Sequence, residues 1–186
     1  MPVPLGWWWH TPLDLEQNID PDNLARDTRV VLHVLARLLN APVLPLDYAA
    51  YAASLFAELT AIADAVGDRL DLSRLLAQAD QLGRRAALIE KQPISDRTEA
   101  RRVDAALTRV SRALVPINYT AGDRFVHDPA LPNAPWPSLR GLRELAALES
   151  GSSETPFYVT HARQTRNRVS HALQLALEAL ADALGE

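Results

Sequence analysis

A histidine placed directly after three consecutive tryptophans, Trp7-Trp8-Trp9-His10-Thr11-Pro12, is the point where this sequence invites chemistry. Neutral imidazole is a good zinc ligand, and an irregular segment can aim it into a site. One imidazole does not make such a site, because zinc takes three or more protein ligands. The other histidines, His33, His127, His161 and His171, offer no partner by spacing. His161 and His171 stand nearly three helical turns apart, and no His-Glu-x-x-His pair occurs. There is no nucleophile elbow and no glycine-rich phosphate loop. On residue types alone the chain is expected to lack catalysis of its own. An apolar lid of tryptophans with His10 as a bystander explains the segment at least as well.

The tryptophans carry their own message. Three in a row on an irregular stretch cannot all be buried by that stretch, so they require another surface. Cysteine is absent, which excludes disulfides and thiolate metal sites. The formal charge is −4, from 19 Lys+Arg against 23 Asp+Glu, which does not suit a polyanionic partner. Arg97, Arg101, Arg102, Arg109 and Arg112 recur at helical spacing, but Asp96, Glu99 and Asp104 are interleaved with them. A solvated helix face is the expectation, not a nucleic-acid interface. The opening MPVPLGWWWH has no basic region of a signal peptide, and no run is expected to reach the roughly 20 apolar residues of a membrane span.

The elements that must position these residues are helical. Hydrophobic residues make up 48% of the chain and only 6% is aromatic, so Ala and Leu dominate the apolar set and favour helix. Asp20-Pro21-Asp22 starts a first helix, with Leu24, Thr28, Val31, Leu35 and Leu38 on one face and Asn40 and Pro42 as its stop. Asp47 opens a second, with Tyr48, Tyr51, Leu55, Leu59, Ile62 and Val66 aligned and Gly67 expected to end it in the left-handed conformation. A third carries Leu72, Leu75, Leu76, Ala79, Leu82, Ala86 and Ile89 and closes at Pro93. A fourth begins at Ser95 or Asp96, carries Ala100, Val103, Leu107, Val110 and Leu114, and is expected to end at Pro116.

A long proline-rich loop follows, from about Val115 to Pro137. Loops beyond roughly 15 residues are usually functional or disordered. This one holds Ile117, Tyr119, Phe125, Val126, Leu131 and Trp136, which is too apolar for disorder and predicts packing. A short helix over about Ser138–Leu148 and a last one from about Glu154 to Leu184 complete an all-α, up-and-down helical bundle.

The segment WWWHTPLDLEQNID resembles a stretch W-H-T-x-x-D…I-D near the end of the catalytic domain in the zinc exopeptidase family of glutamate carboxypeptidase II and the transferrin receptor. Asn40 to Ala49 (NAPVLPLDYA) is similar to that family's linker into its helical domain. Arg112-Ala113-Leu114 and Arg124 to Pro132 (RFVHDPALP) resemble the domain's long loop. The resemblance implies a division at residue 40: 1–40 as the end of a zinc peptidase domain, 41–186 as a transferrin receptor-like dimerisation domain. It further implies that His10 is a zinc ligand and that the remaining ligands and the general base lie outside this chain. Leu13 stands where many relatives carry an acid. The implied partners are a second copy of the chain through the helical domain and, with the catalytic domain, a peptide substrate. The competing expectation is an independent helical module that uses the tryptophan cluster or the proline-rich loop to hold an apolar ligand or protein.

Overall fold

The computed structural model describes residues 6–121, 134–149 and 151–186. Among the described residues all regular structure is helical, in six α-helices and three short 3-10 turns, so the chain is all-α as predicted. It divides into two compact units, Met1–Ala41 and Pro42–Glu186.

In the first unit, α1 spans Pro21–Asn40. Its start follows the sequence: Asp20 accepts from the backbone N–H groups of Asp22 (2.9 Å) and Asn23 (3.2 Å), and Pro21 takes the first helical position. Its stripe behaves differently from the others. None of its residues is buried, and Leu24, Val31, Leu35 and Leu38 are all exposed, as are Val30, Leu32, Val34 and Leu39.

The second unit contains α2 (Tyr48–Val66), α3 (Ser73–Lys91), α4 (Arg97–Tyr119), α5 (Arg140–Ala147) and α6 (Thr155–Leu184). Here the periodic residues meet. Leu55, Leu59, Leu75, Leu82, Val103, Val110, Leu173 and Leu180 are essentially inaccessible and form one core. Tyr51 and Leu76, from the same predicted stripes, are only half-buried at its edge. Asp47 and Asp96 cap α2 and α4 by accepting from Ala50 N–H (2.7 Å) and from Thr98 and Glu99 N–H (2.7 and 2.9 Å). Gly67 ends α2 with φ 57° and ψ −140°, a positive φ but not the left-handed helical basin expected; this region is open essentially to glycine alone.

Side-chain bonds between helices fix their directions. The Tyr48 hydroxyl donates to the Leu107 carbonyl (3.1 Å) and the Tyr51 hydroxyl to that of Leu114 (2.7 Å), so α2 and α4 run parallel. Gln78 donates to the Ser170 carbonyl (3.2 Å) and Arg85 to that of Leu177 (3.0 Å), so α3 and α6 also run parallel. The short link after Gly67 reverses α3 against α2. The four long helices of this unit therefore alternate up and down in chain order, while α5 packs against both α2 and α6.

Two expectations need correction. Pro116 does not end α4, which continues to Tyr119. Proline removes one N–H and crowds the preceding turn, a cost of about 3 kcal/mol within a helix. Tertiary contacts offset it: Ile117 is buried, Tyr51 donates to the Leu114 carbonyl, and Ser138 Oγ donates to the carbonyls of Pro116 (3.0 Å) and Thr120 (2.7 Å). The loop thus begins at Thr120, not Val115, and its residues 122–133, including Phe125, Val126, His127 and Leu131, lie outside the described residues. Second, Tyr48–Arg69 is by length and composition apolar enough to cross a membrane. Its apolar side carries Leu55, Leu59, Ile62 and Val66 into the core.

Candidate functional site

The His10 segment is built by short-range bonds. Trp9 N–H donates to the Gly6 carbonyl, Thr11 N–H to Trp8 and Asp14 N–H to Thr11, each at 3.0 Å. The Thr11 hydroxyl donates to the Trp8 carbonyl (2.6 Å) and accepts from Leu13 N–H (3.2 Å). Asn18 closes the segment by donating to the Leu13 carbonyl (2.7 Å). Gly6 and Pro12 disfavour a helix in this stretch, and successive turns take its backbone bonds instead.

Within these turns His10 has φ 60°, a left-handed conformation uncommon outside glycine. Its backbone N–H points to an Asp14 carboxylate oxygen at 3.4 Å. Its ring stacks on Trp9, with centroids 3.6 Å apart and planes 16° from parallel. Trp7 meets Trp8 edge-on at 5.8 Å. The segment is open to solvent: Trp7 is 73% and Trp9 48% exposed. The stack orients the imidazole, and the exposed setting leaves it able to meet another surface.

A zinc ion does not fit the residues present here taken alone. Among the described residues no three of His, Asp and Glu gather in ligand range. His33 and His171 are exposed on α1 and α6. His161 Nδ1 faces a Glu144 carboxylate oxygen at 3.3 Å, a half-exposed pair between α6 and α5. His10 belongs to no such group of three among the described residues.

The second sequence-predicted feature, the proline-rich loop, is anchored where it is described. Ser138 ties its return to the end of α4 by the two bonds above. Trp136 is buried as predicted and meets Tyr51 edge-on at 5.1 Å, itself at φ 56°. Arg143 donates to the carbonyls of Pro135 (2.7 Å) and Trp136 (3.0 Å) and pairs with Glu58 on α2 (2.7 Å). Tyr119, also expected to pack, is 66% exposed instead: it sits in the last turn of α4, beyond the buried Ile117. Ser138 and the Arg143–Glu58 pair went unrecognised in the sequence because the bonds of Ser138 and the ion pair span 18 or more positions and no local spacing marks them.

Burial pushes the Tyr51 hydroxyl above its ordinary pKa, with Tyr119 adding to the effect. Tyr48 is raised for the same principal reason, against a bond from Ser111 that lowers it. Both are neutral structural donors at physiological pH. Compared with family models, with curated proteins and with solved structures, the chain matches none.

Proposed function

We propose that this chain is the C-terminal part of a zinc exopeptidase-like protein: a helical scaffold that pairs subunits, preceded by the last segment of a peptidase domain. In this reading His10 supplies one zinc position, and the other ligands and the general base belong to residues outside the chain. Catalysis requires the whole protein. The helical part holds two catalytic units in fixed relation and supports the proline-rich loop, anchored through Ser138, Trp136 and Arg143.

The observation that carries the reading is the first unit. It combines an exposed, stacked imidazole on a tight loop with a twenty-residue amphipathic helix that buries none of its apolar side chains. Exposed apolar patches of this kind mark surfaces made for another partner. A catalytic domain whose metal site receives His10 accounts for the imidazole, the tryptophans and α1 together.

The test is the mass of the native protein in its source cells, detected with an antibody raised against the helical unit. A band well above 20.5 kDa is expected. If that larger protein is found, sedimentation should show a dimer, and His10→Ala should remove bound zinc. A band at 20.5 kDa would sink the proposal.

A further inference from the structure

A pocket of about 190 Å³ opens at one end of the second unit, between the last turns of α3 and the first half of α4. Its apolar walls are Leu44 from the extended segment before α2, Ala86 and Ile89 from α3, and Val103 and Leu107 from α4. An apolar cavity of about 150 Å³ is already enough to hold benzene, so the space suits one aromatic ring.

Most polar groups on these walls are engaged. The Tyr48 hydroxyl bonds to Ser111 (2.7 Å) and to the Leu107 carbonyl (3.1 Å). The Gln92 side-chain nitrogen donates to Glu99 Oε1 (3.2 Å), and its Oε1 is closed to solvent. Glu90, in the last turn of α3, is the exception. It belongs to the lining and is exposed, which places it where the pocket meets solvent. Among the described residues its carboxylate has neither a hydrogen bond nor an ion pair. Lys91, next in the chain, neither lines the pocket nor pairs with it.

The charges bordering the pocket share one sign. No Lys or Arg lines it. Asp104 on α4 accepts from the N–H of the lining residue Leu44 (3.0 Å) and pairs with no cation among the described residues. Its charge reaches the Tyr48 hydroxyl, whose pKa is raised first by burial and further by Asp104, against the lowering bond from Ser111. Glu99, which holds Gln92, is kept below the usual carboxylate range by its bonds from Ser95. Of these three carboxylates only Glu99 has a cation within reach, Arg102 at 3.9 Å.

An anion would meet these carboxylates with no cation on the walls to offset them. A neutral ring would gain burial alone. A ring with a short charged arm buries its apolar body and leaves the ammonium in water at the mouth, so the charge keeps its hydration. We propose that this pocket binds a small primary arylalkylamine in its cationic form. The ring lies between Ala86, Ile89, Val103 and Leu107, and the ammonium stands beside the Glu90 carboxylate. The site is independent of His10 and of the proposed peptidase reading.

Benzylamine, benzyl alcohol and benzoate share a ring and differ in charge. Each is titrated into the full chain at neutral pH and low salt and followed by amide chemical shifts. Benzylamine is expected to perturb residues around Ala86, Ile89 and Val103, and affinity should fall from amine to alcohol to benzoate. An exposed ion pair corresponds to about two- to fivefold in affinity, so the amine should exceed the alcohol by that factor. The excess should shrink as salt rises to about 0.5 M. Glu90→Gln should bring the amine level with the alcohol and leave the alcohol unchanged, and Glu90→Lys should put the amine below it. Both replacements fall at an exposed position and leave the core intact. No binding of benzylamine, shifts centred elsewhere, or an amine-to-alcohol ratio that neither variant changes overturns the proposal.

Discussion

Replacing Arg69 with alanine should destabilise the second unit far more than a half-exposed arginine without a carboxylate partner ordinarily would. Its guanidinium has five N–H donors, and each meets a main-chain carbonyl. Nε donates to Val66 (3.0 Å), Nη1 to Leu145 (2.8 Å) and Leu148 (2.9 Å), and Nη2 to Ala65 (2.8 Å) and Ala146 (3.3 Å). Ala65 and Val66 end α2, while Leu145, Ala146 and Leu148 end α5. A helix leaves its last four carbonyls without partners, and its C-terminus carries partial negative charge. One cation thus caps two helices and joins them. At about 1 kcal/mol net per bond, with two carbonyls free to rehydrate, the loss is about 3 kcal/mol. Losing the favourable position at two dipole ends adds about 0.5–1 kcal/mol. For a chain of this size each kcal/mol shifts Tm by about 2–4 °C, so a fall of about 7–16 °C is expected. Arg69→Lys keeps the charge but not the planar fork and should lose about half as much. Circular-dichroism melts and urea titrations of the three proteins measure this. An alanine variant melting within about 2 °C of wild type, or a lysine variant equal to it, would refute the reasoning.

Two further outcomes follow from the same contacts. Tyr48 and Tyr51 have pKa values raised above 10.0, chiefly by burial, so the stability they contribute is complete below pH 10 and declines as pH rises past it. Tyr51→Phe, which also leaves the Leu114 carbonyl without its donor, should cost about 1–2 kcal/mol at neutral pH and flatten the alkaline loss. Melts across pH 8–11, read beside tyrosinate absorbance, check this, and an unchanged alkaline slope counts against it. Gly141→Ala should destabilise although alanine is the better helix former, because its Cβ would lie 2.5 Å from Thr165 Oγ1 and 3.2 Å from the His161 ring where α5 meets α6. A loss of about 1–3 kcal/mol in urea titrations is expected from that overpacking, and a gain would mean the crossing relaxes freely.

The helices were legible because their signals are local. Asp20, Asp47 and Asp96 cap the helices they precede, and the stripes of α2, α3, α4 and α6 point into one core. Capping and 3.6-residue periodicity depend on neighbours within about four positions, which is what a sequence displays. Pro116 misled for the converse reason. Its local cost is real, but Tyr51 and Ser138, distant in sequence, serve the carbonyls around it. Arg69 was invisible on the same grounds, since its role depends on what the end of another helix presents. The His10 loop is intermediate: its turns are local and could be anticipated, whereas the stack on Trp9 and the positive φ could not.

The contrast between α1 and α3 shows where periodicity stops being informative. Both are long, strongly amphipathic helices with good starts or stops, and their patterns taken alone predict the same burial. Leu75, Leu82 and Ala86 of α3 are shut away from solvent, while Leu24, Val31, Leu35 and Leu38 of α1 lie open. An apolar stripe states that a face must be covered and how wide the cover must be. It does not state which surface supplies it. That is why fold class follows from these patterns, and why the function proposed for His10 depends on which surface covers α1.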